Sequence, residues 1–366
     1  MSEQGRINKL YAIMRESGLD VVALIPGPNH RYLTGAEHYV LERPIVTFYQ
    51  PDQAPIAVIP ELEIPLFEGH PDPAALISYT DAESYEGAFR SALDRIGAGG
   101  KTIGVEGLQM RFFEGEIIRQ RATGASVVDA SEPLAKLRLI KDEEEIALLR
   151  RAIDISERAL QAMLDEAQVG MSEIEAAAIL ERHIKALGGD GLSFGTILHA
   201  GANTPLPHSG PLDYRIQHGD PLIVDFGATY KGYCADITRT AFVGEATDEQ
   251  RAFYAVVQRA NEVGRQAAGP GVTCESIDMA TRQVFIDAGY ADLIRHRTGH
   301  GLGMEAHEAP YIVIGNQQVL APGMVFTVEP GIYRMGEIGV RIEDNMLITE
   351  DGAESLTRFP RDIMVI

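Results

Sequence analysis

Two apolar strands, each interrupted by one acidic residue, constrain the fold of this chain most strongly. The first covers residues 222–228 and carries Asp225; the second covers residues 325–333 and carries Glu329. After a turn, each returns as a strand with another acid, Asp236 in the first case and Glu343 in the second. Carboxylates that face each other in an apolar hairpin repel, so a cation must lie between them or one must be protonated. The alternative is that the acids lie exposed on an outer sheet face. The pattern favours a metal.

A helix start precedes each hairpin at a similar distance. Gly-Met-Ser at 170–172 and Gly-Val-Thr at 271–273 both end in a residue suited to an N-cap. The first motif begins 55 residues before Asp225 and the second begins 58 residues before Glu329. Such starts are common, but here the acids follow in register. We therefore predict a duplicated helix-and-hairpin unit whose two hairpins meet about a pseudo-twofold axis, so that the four acids converge.

The segment between the hairpins is rich in histidine. Residues 296–310 contain His296, His300 and His307, and His300 has a glycine on each side. Glycine lets the backbone come close to whatever the imidazole binds. A histidine between glycines could equally be a turn residue, but four nearby acids favour its being a ligand.

These residues make a candidate metal site without sulfur. The chain has only two cysteines, which excludes a cysteine-based zinc site and a disulfide framework. Four carboxylates and one imidazole suit Mn²⁺ or a similar divalent ion, and two dications balance four negative charges. Such a pair would lower the pKa of a trapped water and polarise a carbonyl, which indicates hydrolysis. Ligand chemistry does not choose among Mn²⁺, Co²⁺, Fe²⁺ and Zn²⁺. The five candidate ligands are Asp225, Asp236, His300, Glu329 and Glu343.

Composition limits the other possibilities. The 366 residues include 32 Lys and Arg against 53 Asp and Glu, a formal charge of −21, which disfavours a nucleic-acid partner. No apolar run approaches the roughly 20 residues of a membrane span, and no secretory leader is recognisable, so we expect a cytoplasmic protein without a membrane partner. The length favours two domains.

The two predicted domains differ in the spacing of their apolar residues. Short apolar runs at 21–26, 45–49, 56–59 and 102–105 alternate with helical stretches, which predicts an α/β domain on a small sheet over residues 1–135. From residue 137 the apolar spacing is that of a long helix, with Asp142 and Glu145 as a capping pair. We assign residues 136–366 to the second, α+β domain.

Several local motifs resemble one enzyme family. Asp225 and Asp236 are followed in order by Gly-His-Gly at 299–301, Val-Glu-Pro-Gly at 328–331 and Arg-Ile-Glu-Asp at 341–344, which contain the other three candidate ligands. His-Glu-Ala-Pro at 307–310 lies between them. This arrangement looks like that of the pita-bread metallopeptidases, which include methionine aminopeptidase, aminopeptidase P and prolidase. The separate N-terminal domain, with Asn-His-Arg-Tyr-Leu-Thr-Gly at 29–35, is similar to that of the prolidase, aminopeptidase P and creatinase branch. The resemblance implies a creatinase-like α/β domain followed by a pita-bread domain.

The resemblance also implies roles for the ligands. Asp225 would chelate one metal, while His300 and Glu329 would hold the other. Asp236 and Glu343 would bridge the two. A bridging hydroxide would be the nucleophile, with Glu329 as general base.

Four further site residues follow from the same resemblance. His208 matches a histidine that lies over the site and stabilises the developing intermediate, and His307 matches one that contacts the substrate. Arg341 matches an arginine oriented towards the site. His38, with the neighbouring Tyr39, is a candidate lid residue that a partner subunit of a homodimer could supply.

Three hypotheses for function follow from the resemblance. The first is a Xaa-Pro dipeptidase acting on short proline-containing peptides, with Xaa-Pro aminopeptidase as its near alternative. The second is a metal-dependent relative acting on creatine-type or ectoine-type amides, or a dimethylsulfoniopropionate lyase. The third is a binding module without catalysis, against which the complete ligand set argues.

We make separate predictions for three residues close to the ligands in sequence. Asp344 should face away from Glu343, either supporting the ligands or lying in solvent. Thr238 could hydrogen-bond a metal-binding carboxylate or simply suit a strand. Cys234 is expected to be a buried structural thiol.

Overall fold

The chain forms two compact units, Met1–Arg138 and Leu139–Ile366. A computed structural model provides the structure and describes residues 2–67, 76–206 and 209–366. The predicted boundary after residue 135 lies three residues before the observed division.

The first unit is an α/β layer. Its sheet has the strand order β4-β3-β2-β1-β5-β6, with β1 antiparallel to β2 and parallel to β5. Strands β1, β2, β3 and β5 occur at the four apolar runs, whereas β4 and β6 lie outside those runs. β1, β2 and β3 are buried along their whole length. Helix α3 packs on β3 and β4. The elements are α1 (Glu3–Glu16), β1 (Val21–Leu24), α2 (Pro28–Thr34), β2 (Val46–Tyr49), β3 (Ile56–Pro60), β4 (Leu76–Tyr79), α3 (Tyr85–Arg95), β5 (Thr102–Val105), α4 (Phe112–Arg121), β6 (Ser126–Asp129) and α5 (Ser131–Leu139).

The second unit combines long helices with antiparallel strands. Its two main sheets have the orders β20-β12-β9-β8 and β14-β13-β15-β18-β19. The elements are α6 (Glu143–Glu166), α7 (Glu173–Ala186), β7 (Gly191–Leu192), β8 (Ile197–Ala200), β9 (Pro221–Phe226), β10 (Ala228–Tyr230), β11 (Tyr233–Cys234), β12 (Ile237–Phe242), α8 (Asp248–Ala267), α9 (Cys274–Asp287), β13 (Gly299–Gly301), β14 (Glu308–Ile312), β15 (Val325–Val328), β16 (Gly331–Arg334), β17 (Ile338–Arg341), β18 (Asp344–Ile348), β19 (Ala353–Ser355) and β20 (Met364–Val365).

The long helix α6 begins where its capping pair predicts. The Glu145 amide donates to Asp142 Oδ1 at 2.9 Å, and the Asp142 amide donates to Glu145 Oε2 at 2.9 Å, which completes a capping box. Over the described residues, none of the helices combines the length and the apolar composition that crossing a bilayer requires.

The duplicated unit is present in the second unit. Helices α6 and α7 pack together in one half, and α8 and α9 pack together in the other. Ser172 caps α7 and Thr273 caps α9, and each N-cap also forms an isolated bridge, Ser172 with Arg215 and Thr273 with Val319. The ligand-bearing pairs β9–β12 and β15–β18 follow in both halves. The repeat predicted from the helix starts is therefore confirmed.

The first hairpin differs from the prediction in register. Asp225 lies opposite Thr238 across the β9–β12 pair, and Asp236 comes just before β12, so the two acids are not directly opposite. Because side chains alternate with a period of two, Asp236 still shares a face with Thr238 and Asp225. The offset of two residues arises in the β10–β11 hairpin, whose turn at Lys231 and Gly232 has positive φ.

Candidate metal centre

The five candidate ligands lie within or immediately next to five strands. Asp225 lies within β9, Asp236 precedes β12, and His300 is the central residue of β13. Glu329 follows β15 and Glu343 precedes β18. Asp225, Asp236, His300 and Glu343 are buried, whereas Glu329 keeps 15% of its side chain exposed. The structure thus brings together residues that span 118 positions of the sequence.

Their ligand atoms form overlapping clusters. One atom each from Asp225, Asp236 and Glu343 lie within 4.8 Å of one another, and so do atoms from His300, Glu329 and Glu343. A third group joins Asp236, His300 and His307 on the same criterion. His300 Nε2 is 3.2 Å from Glu329 Oε1 and 3.6 Å from Asp236 Oδ2. Asp236, His300 and Glu343 each belong to two of these clusters, so the three clusters form one continuous group.

Three carboxylate oxygens in the cluster lack a hydrogen-bond partner among the described residues. They are Asp225 Oδ1, Asp236 Oδ1 and Glu343 Oε1, all inaccessible to solvent. A buried carboxylate oxygen without a partner is costly, and native structures seldom tolerate several together. Hard oxygen donors around a shared gap suit divalent ions, so these residues fit a metal centre.

The electrostatics of the cluster also favour cations. Burial, followed by the charges of Glu343, Asp225 and Glu329, raises the pKa of Asp236 well above its usual range. Burial and the charges of Glu329 and Asp225 act in the same direction on the pKa of Glu343. Without a compensating charge, these acids therefore resist simultaneous ionisation.

Glu329 is the exception among the acids. Burial opposes its ionisation, but its hydrogen bond with His300 and the charges of His300, His296 and Arg341 lower its pKa to about 2. It is also the most exposed of the four carboxylates. Glu329 is thus an ionised group that faces the cavity, which is the state a general base requires.

Arg341 is buried beside the ligands and is held at several points. Its Nη2 contacts Asp225 Oδ2, its Nη1 donates to the Tyr333 hydroxyl at 2.6 Å, and its Nε donates to Thr238 Oγ1 at 3.1 Å. Tyr333 also lies 2.8 Å from His296 Nε2. The arginine therefore joins one candidate ligand to a chain of polar groups along the cavity wall.

Thr238 and Asp344 resolve two alternatives left by the sequence. Thr238 Oγ1 donates to Glu343 Oε2 at 2.6 Å, so it does contact a candidate metal ligand. Asp344 is completely buried and pairs with Arg239 at 2.8 Å and with Arg361 at 2.7 Å. It faces away from Glu343 as expected, but the solvated alternative is wrong because these arginines enclose it. Cys234 is buried, as predicted.

The remaining predicted site residues differ in their surroundings. His307 is exposed, and its ring centroid lies 4.1 Å from that of His300. His208 lies outside the described residues. His38 is buried in the first unit, with its ring 5.6 Å from that of His30, and Tyr39 beside it is 70% exposed. The substrate roles of all three histidines stay predictions.

Glycines next to the ligands permit close backbone approach. A Cβ on Gly227 would lie 1.7 Å from the Ala235 carbonyl oxygen, and one on Gly299 would lie 1.8 Å from the Thr327 carbonyl oxygen. Atoms cannot approach so closely, so any side chain at Gly227 or Gly299 would force apart the strands that carry the acids and His300.

The cluster opens into a cavity of about 1210 Å³ within the second unit. All five candidate ligands line it, together with His307 and Arg341. Phe194, Ile197 and Met335 add apolar surface, while Arg295 and Arg297 add positive charge. The volume is sufficient for a small organic ligand or a short peptide.

The sequence did not indicate several polar residues around the site. Tyr333 contacts Arg341, Arg239 contacts the Glu343 carbonyl, and Asn261 contacts the carbonyl of Ile342, the residue before Glu343. One signal was available for Tyr333 alone: Arg341 is a charged residue in an apolar strand and needs buried partners. Arg239 and Asn261 occur in ordinary strand and helix patterns, which identify no partner.

Comparisons with known proteins agree with this geometry. Residues 147–350 match metallopeptidase family M24, and residues 6–140 match the creatinase/prolidase N-terminal domain. This chain belongs to metallopeptidase family M24. The prediction of a pita-bread metallopeptidase with a creatinase-like N-terminal domain is therefore confirmed, and the family is metal-dependent.

Three relatives show how far the similarity extends. An uncharacterized peptidase of Bacillus subtilis is 36% identical over 99% of this chain and 100% of its own length. A Xaa-Pro dipeptidase of Pyrococcus horikoshii is 32% identical over 98% of both chains. The crystal structure of a recombinant prolidase from Thermococcus sibiricus is 33% identical, covers 100% of both chains and superposes with a TM-score of 0.94. The similarity is thus full-length and includes both units.

Proposed function

We propose that this protein is a Xaa-Pro dipeptidase that uses two divalent metal ions, Mn²⁺ by preference. The observation that carries the proposal is the set of unpartnered carboxylate oxygens of Asp225, Asp236 and Glu343, gathered beside His300 and Glu329. The relatives named Xaa-Pro dipeptidase and prolidase support the choice of substrate.

Each ligand has a proposed place. Asp225 would hold one ion, and His300 with Glu329 would hold the other. On the family resemblance, Asp236 and Glu343 would contact both; each of them, like His300, belongs to two clusters. When bound, the ions would supply Lewis acidity, which lowers the pKa of water and polarises a carbonyl.

The proton transfers fall to Glu329. Its carboxylate is ionised at neutral pH and reaches the cavity, so it can take a proton from the attacking water. The bond that breaks joins a carbonyl carbon to the proline nitrogen. That nitrogen is a poor leaving group unless it is protonated, and Glu329 can deliver the proton it has taken.

The other cavity residues would bind and orient the substrate. His307 is exposed beside His300 and would donate to the substrate carbonyl or carboxylate. Arg341 keeps Asp225 in place and keeps positive charge close to the ligands. Burial opposes that charge, but Tyr333 and the surrounding carboxylates raise the pKa of Arg341 well above its usual range. His208 and His38 are proposed as further substrate contacts on the family resemblance alone.

A substrate panel tests the proposal. The metal-free protein is reconstituted with Mn²⁺ and offered Xaa-Pro dipeptides, Xaa-Pro-Xaa tripeptides, and creatine-type and ectoine-type amides. We expect the dipeptides to be cleaved fastest and a chelator to abolish the activity. Preferential release of the first residue from tripeptides would instead indicate an aminopeptidase, and turnover of the non-peptides alone would contradict the peptidase assignment.

We also propose a homodimer located in the cytoplasm. Light scattering on the purified chain distinguishes a monomer of 39.9 kDa from a dimer of twice that mass.

A further inference from the structure

Behind the candidate ligands lies a buried polar group on the opposite face of the strands. Arg239 follows Thr238 in β12, and Asp344 follows Glu343 at the start of β18. Because successive side chains of a strand point to opposite faces, Thr238 and Glu343 meet on the cavity side while Arg239 and Asp344 meet behind them. Arg239 is 1% exposed and Asp344 is 0% exposed.

All five N–H groups of Arg239 are used, one of them on the backbone of the ligand Glu343 and one on the backbone of Thr238, which supports it. Its Nη1 donates to the carbonyl of Thr238 at 2.9 Å and to the carbonyl of Glu343 at 2.6 Å. Its Nη2 reaches Asp344 Oδ1 and the Phe359 carbonyl, both at 2.8 Å, and its Nε donates to the Pro360 carbonyl at 2.8 Å. One nitrogen thus joins the two halves of the repeat, since Thr238 belongs to the first and Glu343 to the second.

Asn261 of α8 contacts the same backbone from the helix layer. Its Nδ2 lies 3.1 Å from the Val328 carbonyl and 3.2 Å from the Ile342 carbonyl, the residues immediately before Glu329 and Glu343. It also lies 2.9 Å from Asp344 Oδ2, and its side chain is completely buried. Asn261 therefore fixes the approach to both glutamates.

We propose that Arg239 and Asn261 are positioning residues that form a backbone clamp, which sets the separation of the ligand carboxylates and so allows two metal ions to bind together. The planar guanidinium presents donors in a fixed fork, which a flexible ammonium cannot reproduce. A shift of the ligand backbone by a fraction of an ångström changes the distance between bridging carboxylates, and paired metal sites need a spacing of about 3.5 to 4 Å. This inference rests on the proposed two-metal centre.

The chain offers a matched control for the clamp. Arg361 pairs with the same carboxylate, with Nε 2.7 Å from Asp344 Oδ2, but its other contacts are Ser355 and the Thr357 carbonyl. Arg361→Lys therefore makes the same chemical change beside Asp344 without touching ligand-bearing backbone.

The test titrates Mn²⁺ into the metal-free full-length protein. Calorimetry gives the stoichiometry and affinity, and electron paramagnetic resonance reports the exchange coupling of two neighbouring Mn²⁺ ions. For Arg239→Lys and Asn261→Ser we expect one Mn²⁺ to bind at least tenfold more weakly and the coupled signal to weaken at equal metal content. For Arg361→Lys we expect affinity within twofold of the wild type and an unchanged signal.

Several outcomes would overturn the clamp. A merely structural role would lower the melting temperature of all three metal-free variants and leave affinity and coupling unchanged. An equal loss in Arg361→Lys would show that the pairing with Asp344 matters and the ligand backbone does not. If Arg239→Lys does not fold, Asn261→Ser alone decides. Wild-type protein that takes up no second Mn²⁺ would overturn both this inference and the proposed centre, whereas loaded protein inactive on proline dipeptides would overturn the substrate assignment alone.

Discussion

Glu343 and Asp344 are adjacent, buried and acidic, yet the charges that surround them are opposite in sign. Glu343 lies among other acidic ligands, and burial together with the charges of Glu329 and Asp225 raises its pKa well above its usual range. Asp344 is equally buried, but Arg239 and Arg361 lower its pKa below its usual range. The fold supplies positive charge that balances Asp344, whereas the charge of Glu343 is left unbalanced. A buried acid thus indicates a functional site only when its charge is left unbalanced by the protein.

The largest expected effect lies on the cavity side. Glu329→Gln cannot accept the proton of the attacking water, and we expect kcat on a Xaa-Pro dipeptide to fall by about 10² to 10⁴-fold. Steady-state kinetics at saturating Mn²⁺ measure this. Glu354→Gln, at a partly exposed glutamate paired with Arg150, serves as the matched control and should keep its activity. Comparable kcat values for the two variants would remove Glu329 from the chemistry.

The two neighbouring acids should respond oppositely when each loses its charge. Asp344→Asn leaves the buried Arg239 and the partly exposed Arg361 without their charged partner, and we expect the free energy of unfolding to fall by about 3 to 5 kcal/mol. Glu343→Gln relieves repulsion, so the metal-free protein should become more stable while losing affinity for Mn²⁺. Urea unfolding in the presence of a chelator measures both. Changes of the same sign in the two variants would contradict the distinction between them.

The pH dependence of stability should sharpen the same contrast. The raised pKa values of Asp236 and Glu343 mean that the folded state retains protons that the unfolded state has released above about pH 4. Stability from these groups is therefore present at low pH and declines as pH rises. The lowered pKa values of the buried His30 and the partly exposed His296 act in the opposite direction, so the measurement is a difference between variants.

We expect the metal-free wild type to lose stability relative to Glu343→Gln between pH 5 and pH 8, because only the wild type carries both unbalanced acids. Thermal unfolding at several pH values gives this difference. Saturating Mn²⁺ should abolish the trend in the wild type. A difference that is flat with pH would show that the cavity acids are not the titrating groups.

The smallest effect is expected at the hydroxyl that supports Glu343. Thr238→Val removes the hydroxyl that donates to Glu343 and accepts from Arg341, while preserving side-chain shape. We expect a loss of about 1 kcal/mol in stability and a few-fold weaker Mn²⁺ binding. Thr240→Val is the companion variant, since the Thr240 hydroxyl hydrogen-bonds the backbone of Arg341 and not the side chain of a ligand. Equal Mn²⁺ affinity in the two variants would limit Thr238 to a strand role.

Local pattern was sufficient to predict most of the fold and the gathering of the ligands. The capping pair at Asp142 and Glu145, the strand positions and the repeat all depend on residues close in sequence. The candidate ligands could be identified because an acid in an apolar strand is unusual wherever it occurs. Their convergence followed from the repeat, which places equivalent hairpins at equivalent distances.

The tertiary contacts of these residues could not be predicted from local sequence patterns. The two-residue offset between Asp225 and Asp236 depends on the geometry of the β10–β11 hairpin, which the turn residues alone do not fix. The environment of Asp344 depends on Arg239 and Arg361, which lie 105 and 17 residues away in the chain. Period-two alternation indicated its face correctly, but what covers that face is decided by elements that no local pattern connects.

The glycines at 227 and 299 have a consequence for how this gene can vary. At both positions a methyl group would overlap a carbonyl oxygen of the neighbouring strand, so even alanine is inadmissible there. A library of random variants selected for folding should be empty at these codons and densely populated at Met335, whose side chain is 56% exposed. Substrate preference therefore has to diverge through substitutions in the cavity wall, because the strands that support the acids and His300 tolerate no side chain at these two glycines.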